Sequence, residues 1–330
     1  MEYTTLGQTD VSVSRVGLGL WNVSGDVNWD RVEEDDAVET IQAAVDAGIT
    51  FLDTAEAYGD GYSESVLGAA LETLNRDDVV VATKAHQSNL TYDDLKAACE
   101  ASLDRLGVDT IDVYYLHYPN PDVPVTETAR ALRELQEEGK IRVPAVSNHG
   151  VRDLNDVLDE VRVEANQLPY NLLWRAIEYE VKEACRTNDV DVVCYSALAQ
   201  GLLAGKFDSP DDVPPGRART RHFSGEREHA RHGEEGAETE TFEAIAEFEA
   251  LCEEFDVGMV EAAIAWPLQR EGVGSVLVGA TSPEQARANA EAASLSLPEE
   301  FVERAATITD ELKETLGPNP DPWQSESRYR

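Results

Sequence analysis

Eight short apolar runs, many of them β-branched, recur along the chain with helix-patterned segments between them. They are VGLGL at 16–20, TFLDT at 50–54, VVVATK at 79–84, IDVYYLH at 111–117, IRVPAVS at 141–147, VEANQ at 163–167, DVVCYS at 191–196 and SVLVGA at 275–280. The intervening segments space apolar residues for a helix face, as in Ala37, Ile41, Ala44 and Val45, in Leu95, Ala98, Leu103 and Leu106, or in Leu132 and Leu135. Thr91 stands three residues before Asp94, and Ser282 three before Gln285 with Pro283 next to it; both patterns predict helix starts. Gly48, Gly107 and Gly139 stand where helices should stop. Such alternation allows an open doubly wound sheet or a closed (β/α)8 TIM barrel. No G-x-G-x-x-G follows the first run, which argues against the dinucleotide-binding open sheet. Eight repeats within 330 residues favour the barrel, whose usual size is about 250 residues plus insertions.

The surplus length has definite places. EYTTLGQTDVSVSRV, ahead of the first barrel strand, is expected to form a hairpin across the barrel's bottom. Residues 206–240 form a long loop after the seventh strand, 298–316 an added terminal helix and 317–330 an irregular tail. No linker divides the chain, so a single domain over 1–330 is expected.

Net charge is the outlying quantity: −38, with a pI near 4.3. Phosphates would be repelled, so nucleic acid and anionic membranes are excluded as partners. Self-repulsion on this scale is relieved where the Debye length shrinks to about 3 Å, near 1 M salt, so a halophile-like source is expected. No apolar run approaches the roughly 20 residues needed to cross a bilayer, and MEYTTLGQTD lacks a basic-then-apolar signal pattern. An intracellular, cytoplasmic protein is expected, with Cys99, Cys185, Cys194 and Cys252 scattered as reduced thiols rather than at metal-ligand spacing.

In a barrel of this kind chemistry sits where the strands end. Asp53 ends the second run, Tyr58 follows in its loop, Lys84 ends the third and His117 the fourth. A lysine leaving an apolar strand needs a counter-charge, and Asp53 on the neighbouring strand supplies it. Such a buried pair is poor evidence for stability, so a functional reason is sought. A cation within about 4–6 Å lowers a phenol's pKa, so Lys84 is expected to tune Tyr58 as an acid, with His117 orienting a carbonyl oxygen.

FLDTAEAYGDGYSESVLGAAL, VATKA, DVYYLHYPN, AVSN, VEANQLPYNLL, YSALAQGLLAGK and VLVGATSPEQARANAEA resemble the aldo-keto reductase superfamily, over about residues 3–292. The resemblance places the catalytic tetrad on Tyr58, Lys84, Asp53 and His117. It implies hydride transfer between a nicotinamide and a carbonyl carbon, with the tyrosine protonating the oxygen. It also places the nicotinamide carboxamide at Ser147, Asn148 and Gln167, and an aromatic ring, Tyr195, on the nicotinamide face. Ser196, Leu198, Gln200, Gly201 and Leu202 would follow the pyrophosphate, and Gly279, Thr281, Ser282, Gln285 and Asn289 the adenosine end. Some members carry a Lys or Arg at the positions of Gly279, Thr281 or Gln285 to grip a 2′-phosphate, and this chain has none there. NADP(H) is favoured, with NAD(H) the rival.

Trp21, at the end of the first run, either lines a substrate mouth or merely packs; Trp29 and Trp323 are weaker candidates. Arg217, Arg219 and Arg221 in the long loop either approach a cofactor phosphate or balance nearby carboxylates. His222, His229 and His232 lack the fixed helical face of a metal site. A small-molecule carbonyl reductase is the leading reading. A sugar or polyol dehydrogenase on the same site and a cofactor-binding regulatory subunit are the alternatives. Substrate and oligomeric state are not legible in the sequence.

Overall fold

Residues 1–25 and 30–330 are described in this structure, a computed structural model; Trp29 falls outside them. A hairpin of β1 (Tyr3–Thr5) and β2 (Ser12–Ser14) precedes the barrel strands. These are β3 (Val16–Gly19), β4 (Phe51–Asp53), β5 (Val80–Ala85), β6 (Ile111–Leu116), β7 (Ile141–Ser147), β8 (Ala165–Pro169), β9 (Asp191–Tyr195) and β10 (Val273–Val278). They close a parallel barrel, with β10 hydrogen-bonded to both β9 and β3.

The helices are α1 (Glu34–Asp46), α2 (Tyr62–Leu71), α3 (Tyr92–Leu106), α4 (Val125–Glu137), α5 (Val151–Leu158) and α6 (Val181–Thr187). After β9 come α7 (Glu238–Glu254) and α8 (Met259–Leu268), then α9 (Pro283–Ala292), α10 (Glu299–Ile308) and α11 (Asp310–Leu316). Both expected N-caps form: Thr91 accepts from the Asp94 amide and Ser282 from the Gln285 amide.

Strand parity sorts the barrel's residues. Phe51, Ala82, Val113, Ala145, Ala165 and Val193 point inward and form one apolar cluster. Leu52, Val81, Tyr114, Val146, Leu168 and Val192 point outward into the cluster shared with the helices. Each large apolar side chain buried in this way contributes about 1.5–3 kcal/mol. Leu6, Val11 and Val13 from the hairpin join the inner cluster and plug the bottom. Two or four residues beyond these inward positions, the same parity delivers Asp53, Lys84, His117, Ser147, Gln167 and Tyr195 to the other end. The period of two therefore builds both the plugged core and the open mouth.

The added helix expected over 298–316 is two helices. The Arg175 guanidinium takes the Ala306 carbonyl at 2.6 Å and the Thr309 hydroxyl at 3.0 Å, and pairs with Asp310 at 2.9 Å. This cation withdraws a carbonyl that a continuous helix would use, and Asp310 starts α11. Arg175 also pairs with Glu178 at 2.9 Å, and Glu178 accepts from Lys313 at 2.9 Å and from the Tyr170 hydroxyl at 2.6 Å.

Burial by itself would raise the Glu178 carboxyl, but the Arg175 guanidinium outweighs it, helped by Tyr170 and Lys313, and holds its pKa at about 2, below the ordinary 4.5. A depressed carboxylate stabilises the fold fully above its unfolded value and loses that contribution as pH falls through the folded value. Glu178→Gln should therefore cost about 3 kcal/mol at neutral pH, because its cations lose their buried counter-charge. The difference from wild type should shrink as pH falls from 4.5 towards 2. Urea unfolding at several pH values measures it; a pH-independent difference would contradict the assignment.

Candidate active site

The loop leaving β4 turns sharply to bring Tyr58 over the mouth. Gly59, Asp60 and Gly61 all take positive φ, at 62°, 52° and 86°. Glycine on either side of the aspartate makes this left-handed run accessible before α2 begins. It answers why a GDG triplet follows the tyrosine.

Lys84 is fully buried, and its Nζ donates to Asp53 Oδ1 at 2.5 Å and to the Thr54 carbonyl at 2.8 Å. The Gln167 amide donates to Asp53 Oδ2 at 2.8 Å. Burial pushes the Asp53 carboxyl up and the Lys84 ammonium down, and each holds the other charged against it. Lys84 Nζ lies 5.0 Å from the centre of the Tyr58 ring, and the Tyr58 and His117 rings meet edge to face at 5.8 Å. The four sequence candidates Tyr58, Lys84, Asp53 and His117 thus converge at one end of the barrel.

The expected electrostatic tuning is corrected by this geometry. Burial pushes the Tyr58 phenol well above 10.0, and the Asp53 carboxylate and Tyr118 push the same way. Lys84 directs its charge to Asp53 at 2.5 Å, half its distance from the Tyr58 ring. Tyr58 is therefore held firmly protonated. His117 is held neutral: burial lowers its pKa well below 6.5, and Lys84 adds to the effect. Its Nδ1 is buried without a hydrogen-bond partner among the described residues.

A cleft of about 530 Å³ opens above this cluster. Its wall includes Asp53, Tyr58, His117 and Trp21, then Ser147, Asn148, Gln167 and Tyr195, then Ser196, Leu198, Gln200 and Gly201, and finally Gly279, Thr281 and Gln285. Lys84 lies beneath the wall. Leu202 packs in the hydrophobic core, Ser282 caps α9, and Asn289 donates to the Gly279 carbonyl at 3.2 Å from behind. The backbone of Asn148, Ser196, Ala199 and Gln200 is held at positive φ beside the cleft, a strain that functional sites tolerate.

Several wall residues carried little or no signal in the sequence. Asn22 and Gln87 line the cleft, as do His86, Tyr118, Arg328 and Trp323. Trp21 sits 6.5 Å from Tyr58 and 6.4 Å from Trp323, ring centre to ring centre, so it faces the mouth. Asn22 follows Trp21 in a short 3-10 turn, Trp21–Val23, beyond the end of β3, where strand parity no longer applies. The long loop divides its arginines: Arg217 and Arg219 line the cleft, whereas Arg221 is buried against Glu234 at 2.7 Å and the Leu316 carbonyl at 2.8 Å. His222 is turned towards the Leu173 carbonyl, 3.0 Å away. Among the described residues no group of His, Cys, Asp or Glu is arranged to hold a metal ion.

The wall fits a dinucleotide by its chemistry. Lys206, Arg217, Arg219 and Arg231 face it, together with Arg328, which Asp321 neutralises, and against one carboxylate among the described residues, Asp53, which Lys84 neutralises. In a chain of net charge −38 this concentration of cations marks a place for an anionic ligand. Asn22 Oδ1 and Gln200 Oε1 are buried on the same wall without partners among the described residues, leaving acceptors for a polar ligand.

Comparison with known proteins agrees with this architecture. The aldo/keto reductase family model matches residues 15–310. The chain is 33% identical to the NADH-specific methylglyoxal reductase of Escherichia coli (strain K12) over 338 aligned positions, covering 96% of this chain and 99% of that one. A glycerol dehydrogenase from Gluconobacter oxydans superposes with a TM-score of 0.79 at 29% identity, covering 96% of this chain and 97% of that one. An aldo/keto reductase from Klebsiella pneumoniae, solved in complex with NADP and acetate, superposes with a TM-score of 0.73 at 27% identity, covering 94% and 96% of the two chains. The chain belongs to the aldo/keto reductase family.

The central ion pair makes a stability prediction. Lys84→Met should cost about 3 kcal/mol, because it leaves a buried carboxylate unpaired, and adding Asp53→Asn should recover most of that loss. Urea denaturation of the single and double variants measures both; strictly additive losses would contradict the pairing.

Proposed function

We propose that this chain is an NAD(P)H-dependent oxidoreductase that reduces a small aldehyde, ketone or sugar carbonyl to the alcohol, with Tyr58 as the proton donor. The observation that carries this reading is the convergence of a protonated phenol, a neutral imidazole and a neutralised Lys84–Asp53 pair at the floor of a cation-lined cleft. Ser147, Asn148, Gln167 and Tyr195 would hold the nicotinamide end. Ser196, Leu198, Gln200 and Gly201 would follow the pyrophosphate, with Leu202 supporting that stretch from the core. Gly279, Thr281 and Gln285 would surround the adenosine end, with Ser282 and Asn289 shaping it from behind. Bound there, the dinucleotide supplies the hydride. Tyr58 gives its proton to the developing alkoxide, His117 orients the carbonyl oxygen, and Lys84 with Asp53 fixes the floor on which the phenol rests. Trp21 and Trp323 form an apolar wall for the rest of the substrate.

NADP(H) is the favoured cofactor, because Lys206, Arg217, Arg219 and Arg231 face the cleft even though Gly279, Thr281 and Gln285 carry no charge; NAD(H), named for the E. coli relative, is the alternative. The same groups serve the reverse reaction, alcohol to carbonyl, and the Gluconobacter relative is named for a dehydrogenase. Tyr58→Phe should abolish turnover with a panel of aldehydes while leaving NADPH binding intact, and kcat/KM for NADPH should exceed that for NADH. An active Tyr58→Phe variant would sink the reading. Because Tyr58 is raised above 10.0 and His117 lowered below 6.5, neither should give a titration limb in the reduction profile between those values. A limb in that range that vanishes in Tyr58→Phe or His117→Gln would contradict it.

The charge of −38 and the four buried, unpaired cysteines support an intracellular setting of high salt. Among the described residues no helix is long and apolar enough to cross a membrane. Helical circular dichroism and turnover should rise with KCl towards about 1 M, where the Debye length is near 3 Å. Full folding and full activity in dilute buffer would contradict salt dependence.

A further inference from the structure

Residues 321–330 are not a loose end: they fold back across the barrel mouth. Arg328 forks onto Asp321, Nε to Oδ2 at 2.6 Å and Nη2 to Oδ1 at 2.8 Å, and the Asp321 carboxylate is fully buried. Arg330 pairs with the buried Asp153 of α5 at 2.7 Å. Its amide donates to Asp153 Oδ2 at 2.5 Å, and its carbonyl accepts from the Asp153 amide at 3.0 Å. Gly150 completes the seat, since a Cβ there would stand 2.4 Å from the Arg330 carbonyl oxygen. Between these two anchors lies Tyr329, 5% exposed, whose hydroxyl donates to Asn148 Oδ1 at 2.7 Å.

Asn148 Oδ1 also accepts from the Tyr195 hydroxyl at 2.9 Å, while Asn148 Nδ2 donates to the His117 carbonyl at 2.9 Å and to Ser147 Oγ at 3.0 Å. An amide has two acceptor sites and two donors; all four are met within the chain in this structure, so the amide has one orientation and a nicotinamide carboxamide would bond it in exchange for one of these partners. The His117 carbonyl, which can only accept, decides which way it faces, and the two phenols then supply the donors its oxygen needs. Tyr329 also stands 3.4 Å from the Tyr195 hydroxyl, hydroxyl to hydroxyl. With both phenol protons given to Asn148 Oδ1, that approach is a contact and not a second bond, and the tail residue braces the amide it shares with Tyr195.

We propose that Tyr329 is a positioning residue for the nicotinamide end of the cofactor, acting through the Asn148 amide that it shares with Tyr195 and held in place by the Arg330–Asp153 clamp. This rests on the assignment of Asn148 and Tyr195 to the nicotinamide, made above. The tail thereby couples cofactor affinity to its own seating, 177 residues along the chain from Asp153.

The test is binding without turnover, in the full chain. NADPH affinity is followed by its fluorescence, and affinity for 2′,5′-ADP, which lacks the nicotinamide, by calorimetry. Tyr329→Phe, which keeps the ring and removes only the hydroxyl, should weaken NADPH about three- to tenfold, the scale of one net hydrogen bond, and leave 2′,5′-ADP unchanged. Arg330→Ala should move NADPH in the same direction by less. Unchanged or tighter NADPH binding in Tyr329→Phe, or equal losses for both ligands, would overturn the proposal while leaving the nicotinamide assignment standing. That assignment itself is read from Asn148→Ala: if this variant binds NADPH as wild type does, the assignment fails and the proposal falls with it.

Discussion

A lysine ammonium and an aspartate carboxylate, both nearly out of contact with water, face each other at 2.5 Å at the end of the barrel. Neither is tolerable alone: an isolated buried charge costs several kcal/mol, and removing one partner exposes that cost in full. Adjacent parallel strands β4 and β5 bring the pair together, and Gln167 and the Thr54 carbonyl satisfy atoms that remain. Once paired, the two form a fixed polar floor, and beside the larger effect of burial its carboxylate pushes Tyr58 up and its ammonium pushes His117 down. A phenol placed on that floor keeps its proton, and an imidazole beside it stays neutral. Both are then hydrogen-bonding groups rather than ions, the state in which they can serve a carbonyl oxygen.

The rest of the molecule positions that floor. Inward parity fills the lower barrel with apolar side chains and, a few residues on, turns polar ones into the cleft, so that core and site are one periodic pattern. The cleft concentrates positive charge in a strongly acidic chain. The long loop after β9 contributes Arg217, Arg219 and Arg231 to that wall, and Arg221, paired with Glu234 and with carbonyls near the end of α11, fastens the loop to the body. Cleft-facing and fastening arginines share one stretch: Arg217, Arg219 and Arg231 line the wall, while Arg221 and Arg227 pair with Glu234 and Glu238.

Much of this was legible in the sequence, for physical reasons that can be named. Apolar runs, many of them β-branched, marked the barrel strands, because a strand buried on both faces is largely apolar; β8 departs from this with two buried amides, Asn166 and Gln167. Asp53 and Lys84 stood out because charge at the end of such a run has to be compensated. What was not legible depends on contacts without periodicity. The helix expected over 298–316 is interrupted by Arg175, a cation more than 130 residues earlier in the chain. The tail is fixed by Asp321, Arg328 and Asp153, whose pairing no local pattern announces. Gln167, assigned by resemblance to the cofactor, is engaged by Asp53 in this structure. The direction of the Tyr58 shift was misjudged for a further reason: proximity to a cation was legible, but that cation's closer engagement with Asp53, and the depth of burial, were not.

The most direct measurement is a crystal structure of the chain with NADP and a carbonyl ligand bound. The Tyr58 hydroxyl and a His117 ring nitrogen should both lie within about 3.2 Å of the carbonyl oxygen, with Lys84 still seated on Asp53. A nicotinamide lodged elsewhere, or a Tyr58 turned away from that oxygen, would contradict this reading.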